Sequence, residues 1–294
     1  MLAEDILPWY ALTDPNDPSL DELATRYGLH SLHIEDCRHP GQRAKVEPGA
    51  NYLFVVLKPV TIEDGTELRF ADLCIFIGHD YFITVSDPGC HTTSDALSRA
   101  RRGDSNEEPG KLFYTIFDTI TDSYLAAIDR FDDRIDEIED LVLDRPRPDV
   151  LQEVFRLKRA LIELRRVLVN TRDVSLFVQR DAGPLLPAEL APFFRDIYDH
   201  VARNLDAVEM LRDLLGNTLD VYLSSVANRT NEVMKVLTIM STVALPSIVI
   251  SGIYGMNVKN IPFLESPHGI WIVVGLMAAS TILLLGLLRK FRWF

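Results

Sequence analysis

The run Val236-Leu237-Thr238-Ile239-Met240-Ser241-Thr242-Val243-Ala244-Leu245-Pro246-Ser247-Ile248-Val249-Ile250-Ser251-Gly252-Ile253 carries no charge, and Tyr254-Gly255-Met256-Asn257 follows it directly. A stretch of this length and apolarity is near what a helix needs to cross a bilayer. A second uncharged segment, Ile270 to Leu288, lies only a short loop away. That loop holds one Lys and one Glu, whereas Arg289, Lys290 and Arg292 follow the second segment. Cationic flanks favour the cytosolic side, so the C-terminus is expected in the cytosol, and two crossings return the N-terminal part to the same side. Trp271 and Trp293 mark opposite ends of the second segment, where indoles prefer the headgroup region.

The two segments differ in polarity. The second is aliphatic with interspersed Gly275, Ala278, Ala279, Ser280 and Gly286, the pattern of a lipid-facing helix with small-residue contacts. The first carries Thr238, Ser241, Thr242, Ser247 and Ser251 and an interior Pro246, which frees a backbone carbonyl. Asn231, Met234, Thr238, Ser241, Leu245 and Ile248 recur at steps of three and four, so they share one helix face. A packing face with serines as interhelical glue is one reading of this stripe. A pore lining is the other. Two spans cannot enclose a pore alone, so such a face would meet symmetry-related copies around an axis.

Upstream, Ile197, Val201, Leu205, Val208, Leu211, Leu215, Leu219, Tyr222 and Val226 keep helical spacing, with no proline before Pro246. A helix from about Phe193 to Ile253 is roughly 90 Å long, about three times a bilayer core, and must leave the membrane as a stalk. Before it, Ile120, Tyr124, Ile128, Phe131, Ile135, Ile138 and Val142 form one apolar stripe, ended by Arg145-Pro146-Arg147-Pro148. A second helix begins near Asp149 and carries Leu151, Val154, Phe155, Leu161, Leu164, Leu168 and Val169 to Ala182-Gly183-Pro184, completing an antiparallel hairpin. The first 105 residues read as α/β. Ser19 and Glu22 suggest a capping box for a helix ending near Gly28. Asn51–Val60, Glu67–Ile77 and Tyr81–Val85 read as strands, and a helix is expected over about Ser94–Arg102.

The organisation expected is therefore an α/β domain over 1–105, a helical hairpin over 106–190, and a stalk helix over 191–253 whose membrane part starts near 233. An external loop over 254–269, a second span over 270–288 and a basic tail over 289–294 complete it. Charge divides the same way: from Asn231 onward there are five basic and two acidic residues, and before it 25 basic against 41 acidic. An acidic body excludes nucleic acid as a partner and suits one that collects cations. Met1-Leu2-Ala3-Glu4-Asp5 is unlike a secretory signal. Cys37, Cys74 and Cys90 are odd in number and never spaced as C-x-x-C, so they read as reduced, buried residues. No H-E-x-x-H, nucleophile elbow or phosphate loop speaks for an enzyme.

Two C-terminal spans joined by a loop opening with Gly255-Met256-Asn257 resemble the CorA family of magnesium transporters, the two-transmembrane G-x-N class. The run Asn228-Arg229-Thr230-Asn231-Glu232-Val233-Met234-Lys235-Val236-Leu237-Thr238, the later Ile261-Pro262, and Phe194-Arg195-Asp196-Ile197-Tyr198-Asp199-His200 resemble the family too. The resemblance implies an α+β cytosolic domain, a long helical stalk and two C-terminal spans, assembled as a funnel-shaped homopentameric channel in the inner (plasma) membrane. It implies passive entry of hydrated Mg2+, with Co2+ or Ni2+ as possible passengers, and the bilayer, divalent cations and copies of itself as partners. Gly255, Met256 and Asn257 would form the selectivity filter. Asn231, Met234, Leu237, Thr238, Ser241, Leu245 and Ile248 would line the pore, and Arg289, Lys290 and Arg292 a basic cytosolic ring. Ile248 stands where a polar pore residue is expected.

The resemblance also makes Asp196 part of a regulatory site in which Mg2+ bridges it to an acidic residue of the neighbouring subunit, expected at Asp95, and holds the pore closed. Mg2+ is thus both substrate and regulatory ligand. Asp196 and His200 are also one turn apart, a spacing that suits transition metals but supplies only two ligands. The seven acidic residues Asp129, Asp132, Asp133, Asp136, Glu137, Glu139 and Asp140 read as a solvated face or a collector of cations, partly offset by Arg156, Lys158, Arg159, Arg165 and Arg166. A zinc or other divalent-metal transporter of the same architecture, or a membrane-anchored scaffold, is the alternative. Met256 favours magnesium over related zinc transporters.

Overall fold

A computed structural model describes residues 7–63, 65–87, 89–102, 108–144, 147–181, 185–257, 261–263 and 266–291. They form two compact units, Met1–Asp220 and Val221–Phe294, each taken by itself below.

The first unit opens with a five-stranded sheet. β1 (Trp9–Leu12), β2 (Lys45–Pro48), β3 (Leu53–Leu57), β6 (Leu73–Ile77) and β7 (Phe82–Ser86) lie in the order β1-β7-β6-β3-β2. β1 pairs parallel with β7, and the other neighbours are antiparallel. β4 (Val60–Glu63) and β5 (Glu67–Phe70) form a separate antiparallel ribbon. Every residue of β3, β6 and β7 is buried, so both faces of the central strands are covered. On one face Leu20 and Leu23 of α1 (Ser19–Tyr27) and Ile34 and Cys37 of α2 (Ser31–Arg38) pack on Phe54, Val56, Phe76, Ile83 and Val85. α3 (His91–Arg102) and the start of α4 (Pro109–Asp144) pack together, and α4 lies against β4 and β6.

Two strands expected as single runs are each divided. Asn51–Val60 splits into β3 and β4 because Pro59 has no N–H to give a ladder. Glu67–Ile77 splits into β5 and β6 opposite that break, where Lys58 is 8% and Asp72 7% exposed and their side chains form an ion pair. Asp72 also accepts from the Gly41 and Gln42 N–H groups, and the Tyr124 hydroxyl of α4 donates to the Lys58 carbonyl at 2.8 Å. The split is thus a polar joint between sheet, ribbon and helix. The expected capping box does not form: α1 starts after Pro18, and Asp17 rather than Ser19 accepts a hydrogen bond there, from the Ser19 N–H at 2.8 Å. Gly28 ends α1 at φ 65 as expected. β1, β2 and α2 carry no clear periodic signal. β2 is an edge strand with Lys45, Glu47 and Pro48, and α2 is capped by the His30 ring accepting from the Leu32 N–H.

Two Gly-x-x-Tyr turns shape the end of the sheet. Gly49 donates to the Tyr52 carbonyl and Gly78 to the Tyr81 carbonyl, and each tyrosine ring folds over its glycine. A Cβ at Gly49 would lie 2.4 Å from the Tyr52 ring, and one at Gly78 2.2 Å from the Tyr81 ring. A ring in a packed core cannot yield like a flexible chain end. Gly49→Ala and Gly78→Ala are each expected to destabilise the unit by about 1–3 kcal/mol, read as a lowered thermal midpoint of the full chain.

The Tyr52 hydroxyl also accepts from the His30 N–H at 2.8 Å and meets His33 Nδ1 at 2.8 Å, while His33 Nε2 meets Glu47 at 3.1 Å. The tyrosine proton therefore goes to Nδ1, and the neutral ring donates from Nε2. Burial lowers the His33 pKa, with Glu47 pulling the other way. Because the unfolded chain takes up this proton at a higher pH than the folded one, stability is expected to fall as pH drops below about 6.5 towards the folded pKa. Thermal melts between neutral and mildly acidic pH check this, and His33→Gln should flatten the slope.

α4 and α5 (Pro148–Asp181) form the expected hairpin. Arg134 grips Glu153 with two bonds of 2.7 Å, and Tyr124 meets Thr171, so the pairing numbers run in opposite directions. The whole stripe from Ile120 to Val142 is buried, as are Val154, Leu161, Leu164 and Leu168 of α5. Phe155 is the exception: it is 43% exposed, turned away from the hairpin core. One turn of 3₁₀ helix (Ala188–Leu190) leads into α6 (Ala191–Tyr254), 64 residues long and parallel to α4, with Asn204 bonded to Thr121 and Thr218 to Glu139. Cys37, Cys74 and Cys90 are buried and free, as expected.

Candidate cation pathway and metal centre

The second unit holds the rest of α6 and α7 (Gly269–Lys290), and both helices contain a stretch long and apolar enough to cross a membrane. Asn231, Met234, Thr238, Ser241, Leu245 and Ile248 are all exposed on α6, and Leu237 flanks them. The same steps of three and four carry this stripe on to Gly252 and Gly255, about 36 Å from its start. It therefore ends on two exposed residues without side chains. The Gly255 N–H still bonds the Ser251 carbonyl at 2.8 Å, and a Cβ at Gly255 would lie 3.1 Å from that oxygen. A side chain there would press on the last helical turn.

Polarity along the stripe has local causes. The Thr238 hydroxyl donates to the Met234 carbonyl at 2.7 Å and Ser251 to the Ile248 carbonyl at 2.9 Å. Each hydroxyl spends its proton inside the helix and keeps oxygen lone pairs for outside donors. Pro246 sits inside α6 and leaves the Thr242 carbonyl without its usual partner. Met256 and Asn257 follow the helix end and are exposed, and the Asn257 side chain has no hydrogen bond among the described residues. Arg289 and Lys290 occupy the last turn of α7, whereas Arg292 lies outside the described residues.

In the first unit, α4 and the start of α6 are held together by aromatic packing. Phe113 meets Phe194 at 5.5 Å between ring centres and Tyr114 meets Phe193 at 5.2 Å. Gly110 permits the approach, since a Cβ there would lie 2.6 Å from Leu190. This packing sets Asp118 and Asp122, one turn apart on α4, beside His200 of α6, with one ligand atom from each within 4.8 Å of the others. Asp196 reaches the same imidazole, Oδ1 to Nε2 at 3.6 Å, and Arg99 lies 3.7 Å from Asp122. Burial raises the Asp118 pKa and neighbouring Asp122 raises it further. Carboxylates crowded in this way gain from a bound cation.

Sequence reading placed Asp196 and His200 together but missed Asp118 and Asp122. Their i, i+4 spacing was visible, yet only the packing of α4 on α6 makes them neighbours of His200. Asp95 is exposed on α3, and no bond joins it to Asp196 within one chain among the described residues.

A family profile described as "CorA-like Mg2+ transporter protein" matches residues 4–290. The chain is 36% identical over 277 residues to the cobalt/magnesium transport protein CorA of Thermotoga maritima, covering 91% of this chain and 77% of that protein. To the cobalt/magnesium transport protein CorA of Methanocaldococcus jannaschii it is 25% identical over 295 residues, covering 98% of this chain and 91% of that protein. The solved complete structure of the CorA magnesium transporter from Methanocaldococcus jannaschii matches the fold with a TM-score of 0.85 at 24% identity, over 97% of this chain and 91% of that one.

Proposed function

The chain belongs to the CorA-like Mg2+ transporter family and is a divalent-cation transporter, and from that premise we propose that copies of α6 surround a passive pathway for hydrated Mg2+. The observation that carries this reading is the exposed stripe of α6, which runs from Asn231 through a proline-bearing span and ends on Gly252 and Gly255 beside Asn257. Mg2+ holds its waters tightly in octahedral geometry. Backbone oxygens near Gly255 and the Asn257 amide oxygen accept hydrogen bonds from those waters without stripping them. A carboxylate ring would hold the ion and slow its exit. Met234, Leu237 and Leu245 form apolar constrictions deeper in the path, and Asn231 gives a polar ring at its cytosolic end. Inward movement of a divalent ion gains about 4.6 kcal/mol per 100 mV of inside-negative potential, so no ATP step is required.

Five copies around one axis in the plasma membrane, both termini in the cytosol, is the arrangement we assign by family likeness. Regulation resides in the first unit. Asp196 of one copy and Asp95 of the next share a Mg2+ ion that holds the closed state, and Asp118, Asp122 and His200 form a second cation site next to it. Two carboxylates suit Mg2+, whereas an imidazole adds affinity for Co2+ or Ni2+. The raised Asp118 pKa makes this site tighten as pH rises, because cation and proton compete for one carboxylate. Vesicles loaded with a magnesium-sensitive dye test the transport reading. Dye response under an inside-negative potential is expected, and its absence rejects the reading.

A further inference from the structure

Two helical stripes of the first unit face outward, and their net charges are opposite. On α4, Asp129, Asp132, Asp136 and Asp140 lie at steps of three and four, all exposed, with no ion pair or hydrogen bond to any of these side chains among the described residues. Leu125, 48% exposed, stands at the start of the stripe. The carboxylates are close enough to raise the Asp132 pKa, after burial, through Asp136, Asp133 and Asp129. On α5, Arg156, Arg159 and Arg166 line the outer face with Phe155 and Ile162, the last 49% exposed. Arg156 and Arg166 have no partner among the described residues, and Arg159 bonds only the Phe155 carbonyl one turn back. Clefts of about 620 and 270 Å³ lie along this face, and Arg43 at the rim of the smaller is likewise unpaired among the described residues.

Glu163 stands among these arginines and Arg156 also borders Asp133 and Glu137, so the α5 face is basic in net charge rather than uniformly. Net charge of one sign beside exposed apolar side chains is the composition of a contact face, since solvated faces need no Phe or Ile. The hairpin turns these stripes outward while Arg134 and Glu153 hold its two helices together, so neither stripe serves the internal packing. In a closed ring of identical copies each contact joins two different patches of the chain. We propose that the basic α5 face of one copy docks on the acidic α4 stripe of the next, Phe155 and Ile162 packing near Leu125 and the arginines pairing with Asp129, Asp132 and Asp136. This rests on the oligomeric reading above. The contact offsets repulsion between strongly acidic copies, and it weakens as salt screens its rim charges.

The test coexpresses two full-length chains. One carries Arg156→Lys, Arg159→Lys and Arg166→Lys together with Asp129→Asn, Asp132→Asn, Asp136→Asn and Asp140→Asn; the other is unaltered. The detergent-solubilised mixture is weighed by native mass spectrometry, then treated with a carbodiimide that condenses a lysine amine and a carboxylate into an amide with loss of water. Asp133 and Glu137 of the same chain border position 156. The diagnostic product is therefore the isopeptide between the lysine-bearing α5 and the α4 peptide that keeps Asp129, Asp132, Asp136 and Asp140, told by mass from the Asn-bearing one, and it can form only between copies. Its recovery is expected, as is its loss when both chains carry the four Asn replacements. An intact oligomer cross-linked elsewhere but lacking this pair overturns the proposal and leaves the oligomeric reading standing. A monomeric mass overturns both.

Discussion

Asn257→Ala is expected to reduce Mg2+ flux to the level of protein-free vesicles while the solubilised oligomer keeps its mass. Asn257 follows the end of α6 and its amide has no bond within the chain among the described residues, so the change removes no internal support. On the proposed filter reading, what it removes is an acceptor for water held by the ion. A hydrogen bond to a charged partner contributes about 1.5–3 kcal/mol. In a ring every copy loses one, and even two such losses correspond to roughly a hundredfold or more. Flux at the unaltered rate would sink the filter assignment. Loss of assembly would instead mark Asn257 as structural.

The second large effect is expected at Asp196. Asp196→Lys places a fixed cation where the regulatory ion would bridge two copies, and it also faces the imidazole of His200 at the edge of the Asp118–Asp122 cluster. Under the regulatory proposal, these carboxylates repel one another without a cation, and the ring would loosen. The lysine supplies the missing charge permanently. The variant should therefore stay closed when Mg2+ is absent, with flux far below that of the unaltered protein under the same conditions. Limited proteolysis gives an independent readout: protection that requires Mg2+ in the unaltered chain should persist without it. Feedback inhibition that matches the unaltered protein would refute the assignment.

The helical parts of the fold were legible in sequence for a physical reason. Apolar residues at steps of three and four over long stretches leave few alternatives, and every member of the apolar stripe from Ile120 to Val142 is buried. Helix ends were legible where proline or glycine forces them, as at Pro148 and Gly28. The short elements were not. β1 and β2 have four residues each, and their pairing with β7 and β3 depends on chain segments far away. The two expected strands divide at Pro59 and opposite it, beside one buried pair, Lys58 with Asp72, whose charges look like surface residues until the joint around them is seen. Phe155 misled in the opposite sense: its spacing fits the hairpin core, but it faces outward.

The sequence by itself determined the two apolar spans, the long helix that enters the first of them, and the mixed stripe that ends at Gly255 beside Asn257. Those features are written in local spacing along one helix, which geometry fixes at 3.6 residues per turn. Only the tertiary structure decided that Asp118 and Asp122 meet His200, since this depends on two helices whose residues stand about eighty positions apart and on Gly110 letting them close. Tertiary packing likewise decided which charges of the α4–α5 hairpin are spent internally and which remain outward. Charge counts along a chain cannot separate those two sets, because pairing depends on which neighbour a side chain reaches in space.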